Sequence, residues 1–506
     1  MSADRAKQPA LPRWRQAVSD PFFVPLLLCA ASGVELARVV FRRVAFPFDL
    51  LVWSESAFMT NMLKLGAGAP IYGPPALANS FVYPPGMELL CYALLHPLGR
   101  DLDVSWCRAV SVAIGMAAAF FAASAAVRLA GRESTPVARC LAALVAWLVL
   151  SQNFTSDVLH PDNLQMAHAT ACLALSLRVV QERSQRAAIA AAALAGFGVL
   201  TKQTEAATVL GVIAVAALTF SVRSPIFWRT CGVAIGTNAL SLGWLFSTAN
   251  ARFQLIEVLG RHYIDWHRAS ELTGQATERH RPILIGLAIL GIVRVIRGGG
   301  ARAVLAWAIL GVTCALPSVA SYLKIMGAWN NFGIVEVWLF IPAWAGIAGL
   351  PRSRLARFGT IAAFACSAWV LRTIKNAPSE EYTSHFRSIE ARVGADLGGG
   401  KRVLVGHGTS MLIHLGVREP PVDREISILE LVTAGLAERT ATAQRFEAGA
   451  YDRLYVVTAW TSPEIQAARD ARYERREVID PLPELGWHWG NGLYQAFGHQ
   501  EVWDRR

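Results

Sequence analysis

Apolar runs long enough to cross a bilayer alternate with short polar segments over residues 22–375. Roughly 20 apolar residues at 1.5 Å rise span the ~30 Å hydrocarbon core, and the pattern predicts about eleven crossings. The first run, residues 22–40, lacks a small-residue cleavage site followed by a polar chain, so a transmembrane helix is expected and not a removed signal peptide. Two runs break the regularity. Residues 83–99 cannot cross fully without moving later polar turns to the wrong side, which predicts a juxtamembrane or re-entrant helix. Residues 187–220 are too long for one span and are interrupted by TKQTE (201–205), which predicts two helices meeting at the surface. Polar, non-helical backbone at that depth is tolerated only beside protein or a wet cavity.

From residue 376 the pattern changes to mixed charged and apolar positions. Strand-like runs at 402–408 and 453–460 flank helical patterns such as 426–440, predicting a small α/β domain. GADLGGG (394–400) reads as a turn or linker, and without GxGxxG or a P-loop it is no nucleotide site. The predicted fold is a polytopic α-helical membrane protein with a small C-terminal α/β domain. Its parts are a cytoplasmic N-terminus (1–20), a transmembrane domain (21–375) with a first periplasmic loop (46–82), and an extracytoplasmic α/β domain (376–506).

Composition supports the membrane reading, since 54% hydrophobic residues and a mean hydropathy of +0.36 exceed what a soluble core requires. The net charge of +11 invites a nucleic-acid reading until it is divided along the chain. Residues 376–506 hold 15 basic and 19 acidic side chains, which leaves 33 and 18 for the first 375. Arginines cluster in short loops such as 131–139, 181–186, 221–229, 294–302 and 351–357, where the positive-inside rule puts them. The basicity is topological, and no nucleic-acid partner is expected. The eight Cys lie in apolar segments and suggest neither a disulfide framework nor a zinc site.

The alternation of basic loops places the other polar segments on the opposite, extracytoplasmic face: residues 48–86, HPDN (160–163), TKQTE, the 248–281 loop and LKIMGAWNN (323–331). Each has a plain reading beside a chemical one. Asp49 caps a following helix or accepts a proton. Glu55, six residues on, faces about 240° away if the stretch is helical, so the two acids do not form a dyad. His160, Asp162 and Asn163 either cap a helix starting near Leu164 or bind a substrate. Lys202, with Thr201 and Thr204, snorkels or holds an anion. Lys324 with Asn330 and Asn331 is a polar turn or a second anion site, and Arg261, His262 and His267 form a weaker third group. Trp53, Tyr72, Phe81, Tyr83 and the terminal 486–494 segment with Trp487, His488 and Trp489 suit an interfacial belt as well as a sugar or prenyl chain.

The order of Asp49, KLxxGxPIY (64–72), FVYPPG (81–86), HPDN, LTKQT (200–204) and KxxGxxN (324–330) with Glu336 resembles the GT-C integral-membrane glycosyltransferases. The likeness is to the bacterial branch of aminoarabinose, arabinofuranosyl and lipopolysaccharide-core sugar transferases. It implies transfer of a sugar from a polyprenyl-phosphate donor to a hydroxyl of a cell-envelope glycan, lipid or protein acceptor, at the periplasmic face of a bacterial inner membrane. It further implies Asp49 as general base with Asp162 and Glu55 as further catalytic candidates. Donor phosphate would be bound by Lys202, Lys324, Thr201 and Asn330, and substrate contacted by Tyr72, Tyr83, His160, Asn163 and Glu336. A divalent cation (Mg, Mn or Ca) shared by Asp49 and Asp162 stays open, as do a flippase of lipid-linked sugars and a non-catalytic envelope-assembly protein.

Overall fold

A computed structural model describes residues 13–349 (except 53, 132–133, 154, 278–280, 326 and 328), 359, 378–456, 462–479 and 500–506. Trp53, the 351–357 basic loop, the 486–494 segment and most of the last expected crossing lie outside the described residues. Four described helices are long and apolar enough to cross a membrane: Phe23–Ala45, Val104–Ala130, Ala301–Tyr322 and Asn330–Ala348. Helices Pro136–Leu150, Asp162–Glu182, Gln185–Gly196, Thr208–Thr219, Pro225–Leu245 and Arg281–Arg297 complete the bundle.

Small residues set how closely these helices pack. Val104–Ala130 turns Ala118, Ala119, Ala122, Ala125 and Ala126 inward, and Ala191, Ala192 and Ala195 join the same core. Between Arg281–Arg297 and Gly333–Ala348, a Cβ on Gly291 would fall 1.8 Å from the Pro342 carbonyl oxygen, so glycine is required at this crossing.

The run beginning in YPPG forms helix Gly86–Leu95 and a short 3-10 turn, His96–Leu98. Its 10 residues rise about 15 Å, half the hydrocarbon thickness. Its start lies against the TKQTE break, where a Cβ on Gly86 would meet the Leu200 carbonyl oxygen at 2.2 Å.

Between the first membrane helix and this short one, residues 46–82 hold a single regular α-helix, Glu55–Gly66. Two buried ion pairs fix the loop. Arg43 Nε lies 2.6 Å from Asp157. Arg108, on a membrane helix and fully buried, donates Nε and Nη2 to Glu55 at 2.7 and 2.6 Å and reaches the carbonyls of Arg43, Phe46 and Phe48. One guanidinium thus satisfies backbone that has left helical geometry.

The C-terminal part builds on that loop. Strands β1 (Val403–Val405), β2 (Arg453–Val456), β3 (Tyr473–Ile479) and β4 (Gln500–Arg505) form a sheet ordered β1-β2-β4-β3, with β1 and β2 parallel and the other pairs antiparallel. Helix Glu380–Gly398, capped by Ser379 and opened by two Glu that favour its N-terminal dipole, covers it. GADLGGG differs from the sequence expectation. Its first five residues finish this helix because Val393 and Asp396 are buried against the sheet side, and the chain turns only at Gly399–Gly400. Phe46, Phe48, Leu50 and Val52 of the first loop share a core with Phe386, Ile389, Val405, Met411 and Tyr455, so loop and sheet pack as one layer.

Replacing Arg108 by Gln is expected to cost about 3–5 kcal/mol, because Glu55 is left buried without its counter-charge. Arg392→Gln, in the exposed Arg392–Glu477 pair of the C-terminal part, is expected to cost under about 1 kcal/mol. Thermal unfolding in detergent checks the contrast, and equal midpoints for the two variants would contradict the stapling role.

Candidate active site

The TKQTE break supplies the central cation. Helix Gly198–Thr201 ends as Lys202 adopts an extended backbone (φ −161°, ψ 146°), and a 3-10 turn, Gln203–Ala207, leads into the next helix. A polar network holds the break inside the bundle. Glu205 receives Gln165 Nε2 at 3.0 Å and Thr208 Oγ1 at 2.9 Å and lies 3.0 Å from His168 Nδ1.

Lys202, 2% exposed, places Nζ 2.9 Å from Asp162 Oδ1 and 3.0 Å from Asn331 Oδ1, with the Tyr83 ring centroid at 5.9 Å. Asp162 opens helix Asp162–Glu182 and makes no side-chain cap, since Pro161 takes the N-cap position. Its Oδ2 accepts from Thr155 Oγ1 at 2.7 Å and Asn330 Nδ2 at 2.8 Å, and His160 Nδ1 lies 3.2 Å away. HPDN, TKQTE and the Asn330–Asn331 turn are therefore joined around one buried ion pair.

Lys324 comes from a second irregular segment. Residues 323–325 pair with 263–265 through Ile325 N–H to the Tyr263 carbonyl (3.0 Å) and Asp265 N–H to the Leu323 carbonyl (2.8 Å). Lys324 Nζ donates to the Leu259 carbonyl at 3.1 Å. A cavity of about 330 Å³ lies between these pieces, and its polar lining includes Tyr83, Lys202, His262, Lys324, Asn331 and Glu430. Burial raises the Tyr83 hydroxyl well above the ordinary phenol range, so it stays protonated as a donor. Lys202 uses two of its three donors within the protein, which leaves one for a ligand.

The remaining sequence candidates are placed as follows. Thr201 donates to the Gly198 carbonyl at 2.7 Å and does not line the cavity; Thr204 does. Tyr72 donates to the Tyr83 carbonyl at 2.7 Å, so it shapes the wall from behind. Asn163 ties helices together through Ser111 and Ser156. Glu336 pairs with Arg281 at 2.8 Å, and Glu55 is engaged by Arg108. Thr201, Tyr72, Asn163, Glu336 and Glu55 thus lie outside the cavity lining, each held by a partner within the framework.

Asp49 is fully buried outside the cavity lining. Its Oδ1 accepts Ser410 Oγ at 2.6 Å and Ser410 N–H at 3.2 Å, and its Oδ2 has no hydrogen-bond partner. Arg424 lies near, and although burial lowers its guanidinium to about 10, it remains charged at neutral pH. Among the described residues Asp49 and Asp162 share no hydrogen-bond partner. Asp162 is already surrounded by an ammonium, an amide and a hydroxyl, which fits an ion pair and not a two-carboxylate cation site. Among the described residues no group of three or more metal-ligating side chains forms.

Sequence reasoning missed Ser410, Arg424 and Glu430, all in the C-terminal part. Glu430 had a signal, as an acid between Leu429 and Leu431 on an otherwise apolar helical run.

Breaking the central pair is expected to show coupling. Asp162→Asn and Lys202→Met each leave an uncompensated buried charge, and the double variant is expected to be more stable than the sum of the two losses by roughly 1–3 kcal/mol. A thermal-unfolding double-mutant cycle measures this; strict additivity would show that the two side chains do not form a pair.

Residues 87–244 match the family model described as dolichyl-phosphate-mannose-protein mannosyltransferase. No curated protein sequence matches the chain. The fold is similar to the crystal structure of ArnT from Cupriavidus metallidurans bound to undecaprenyl phosphate, with a TM-score of 0.54 and 13% identity over 98% of each chain. Arabinofuranosyltransferase AftD from Mycobacteria gives a TM-score of 0.48 and 16% identity over 98% of this chain and 40% of that one. A glycosyltransferase family segment over residues 87–244 and a fold similar to that of ArnT thus occur in a chain whose described residues include four helices long and apolar enough to cross a membrane.

Proposed function

We propose that this protein transfers a sugar from a polyprenyl-phosphate donor to a hydroxyl of an envelope glycan or lipid, on the extracytoplasmic side of a bacterial inner membrane. The observation that carries the reading is the convergence of Lys202 and Lys324, from two interrupted apolar segments, on one cavity of about 330 Å³. A buried ammonium within an apolar bundle is costly unless it serves an anion or a pair, and here one donor of Lys202 remains for an anion. The similar ArnT structure is bound to undecaprenyl phosphate.

In this reading the acceptor oxygen attacks the anomeric carbon as the bond from that carbon to the phosphate oxygen breaks, with inversion. The acceptor proton passes to a carboxylate. The negative charge gained by the leaving lipid phosphate falls on Lys202 and Lys324, with Tyr83 at the same wall. Fixed cations placed where charge develops are among the larger contributions an enzyme makes. Asp49 is our candidate base: Ser410 clamps one oxygen and leaves the other without a partner. Helix Glu425–Thr433 links it to the cavity, because Arg424 lies beside Asp49 while Glu430, six residues on, is about 9 Å further along the axis.

Lys202→Gln and Lys324→Gln are expected to abolish transfer from a polyprenyl-phosphate sugar and to weaken binding of the sugar-free lipid phosphate. Asp49→Asn is expected to lower kcat about 10²- to 10⁴-fold with lipid-phosphate affinity unchanged. Single-turnover transfer assays with a radiolabelled donor separate these effects, and unaltered turnover in D49N would remove Asp49 from the chemistry.

A further inference from the structure

Glu430 is the one carboxyl among the described residues lining the cavity. It comes from helix Glu425–Thr433 of the C-terminal part, whose Ile426, Ile428 and Leu431 are buried and lock its orientation. The side chain is buried, and among the described residues its Oε2 has no hydrogen-bond partner. His262 faces it, with Nε2 3.3 Å from Oε2, and is buried on the same wall. A buried carboxyl left short of donors is unfavourable unless something arriving in the cavity donates to it.

What arrives follows from the cations. A lipid phosphate held by Lys202 and Lys324 carries its sugar on the phosphate oxygen, so the ring occupies the rest of the same cavity. At about 330 Å³ the space is at the low end for small-ligand sites, which suits one sugar ring and its phosphate. We propose that Glu430, with His262 beside it, binds the hydroxyl edge of the donor's sugar and makes the C-terminal part a reader of the donor. This rests on the lipid-phosphate reading of the cavity. Burial pushes the Glu430 carboxyl up to about 8, so near neutrality it both donates and accepts, as sugar hydroxyls do. The pocket so built offers a donor and an acceptor to a hydroxylated or amino sugar.

The test compares binding of undecaprenyl phosphate with that of its mannosyl, arabinosyl and 4-amino-4-deoxyarabinosyl derivatives, for the full-length protein in nanodiscs. In the wild type at least one sugar-bearing lipid is expected to bind tighter than the sugar-free lipid. Glu430→Met, close in size to the native residue but without its donor and acceptor, and His262→Asn are expected to reduce that preference about tenfold while affinity for undecaprenyl phosphate stays as in the wild type. An unchanged preference in properly folded E430M would overturn the assignment but leave the lipid-phosphate reading standing. A wild type that binds undecaprenyl phosphate but prefers no sugar-bearing lipid would overturn it as well, and a wild type that binds none of the four overturns both readings.

Discussion

The Lys202–Asp162 ion pair is the interaction around which the site is arranged. Neither charge is tolerable alone at that depth, and each is presented by backbone that has departed from, or is just entering, helical geometry: Lys202 at an extended break and Asp162 at the first residue of a helix. Asn330, Asn331, Thr155 and His160 then complete the hydrogen bonding, which draws a third irregular segment to the same point. Once these segments meet, Lys324 and Tyr83 have little freedom in where they stand, and a cavity remains between them.

A second constraint acts nearer the first loop. The end of the first membrane helix and the irregular backbone after it, residues 43–48, need donors, and Arg108 provides them while neutralising Glu55. The fixed loop exposes Phe46, Phe48, Leu50 and Val52, and these are covered by the C-terminal helix and sheet. Covering them has a chemical consequence. It brings Ser410 and Arg424 to Asp49 and carries Glu430 to the cavity wall, so a part of the chain remote in sequence supplies both the clamp on one carboxylate and the carboxyl that faces the ligand space.

The membrane pattern and the break at TKQTE were legible because hydrophobic periodicity and a lone cation in an apolar region are local signals. The convergence of HPDN, TKQTE and LKIMGAWNN was anticipated only as a shared side of the membrane; their contact depends on helix packing, which one sequence does not encode legibly. Glu55, Asn163 and Glu336 read as site residues because a buried acid or amide looks alike whether it serves a substrate or a neighbour. Their partners Arg108, Ser111 and Arg281 are 53, 52 and 55 residues away, beyond any spacing rule. Glu430 stayed hidden for the converse reason, since its helix belongs to a part of the chain whose docking on the first loop has no sequence signature.

The central claim is that lipid phosphate is held between the two lysines. A cryo-EM map of the protein in nanodiscs with undecaprenyl phosphate tests it most directly. The account predicts phosphate density within hydrogen-bond distance of both Lys202 and Lys324, with the space toward Glu430 and His262 left for the sugar. A phosphate head resolved instead at the arginine loops of the opposite face would contradict it.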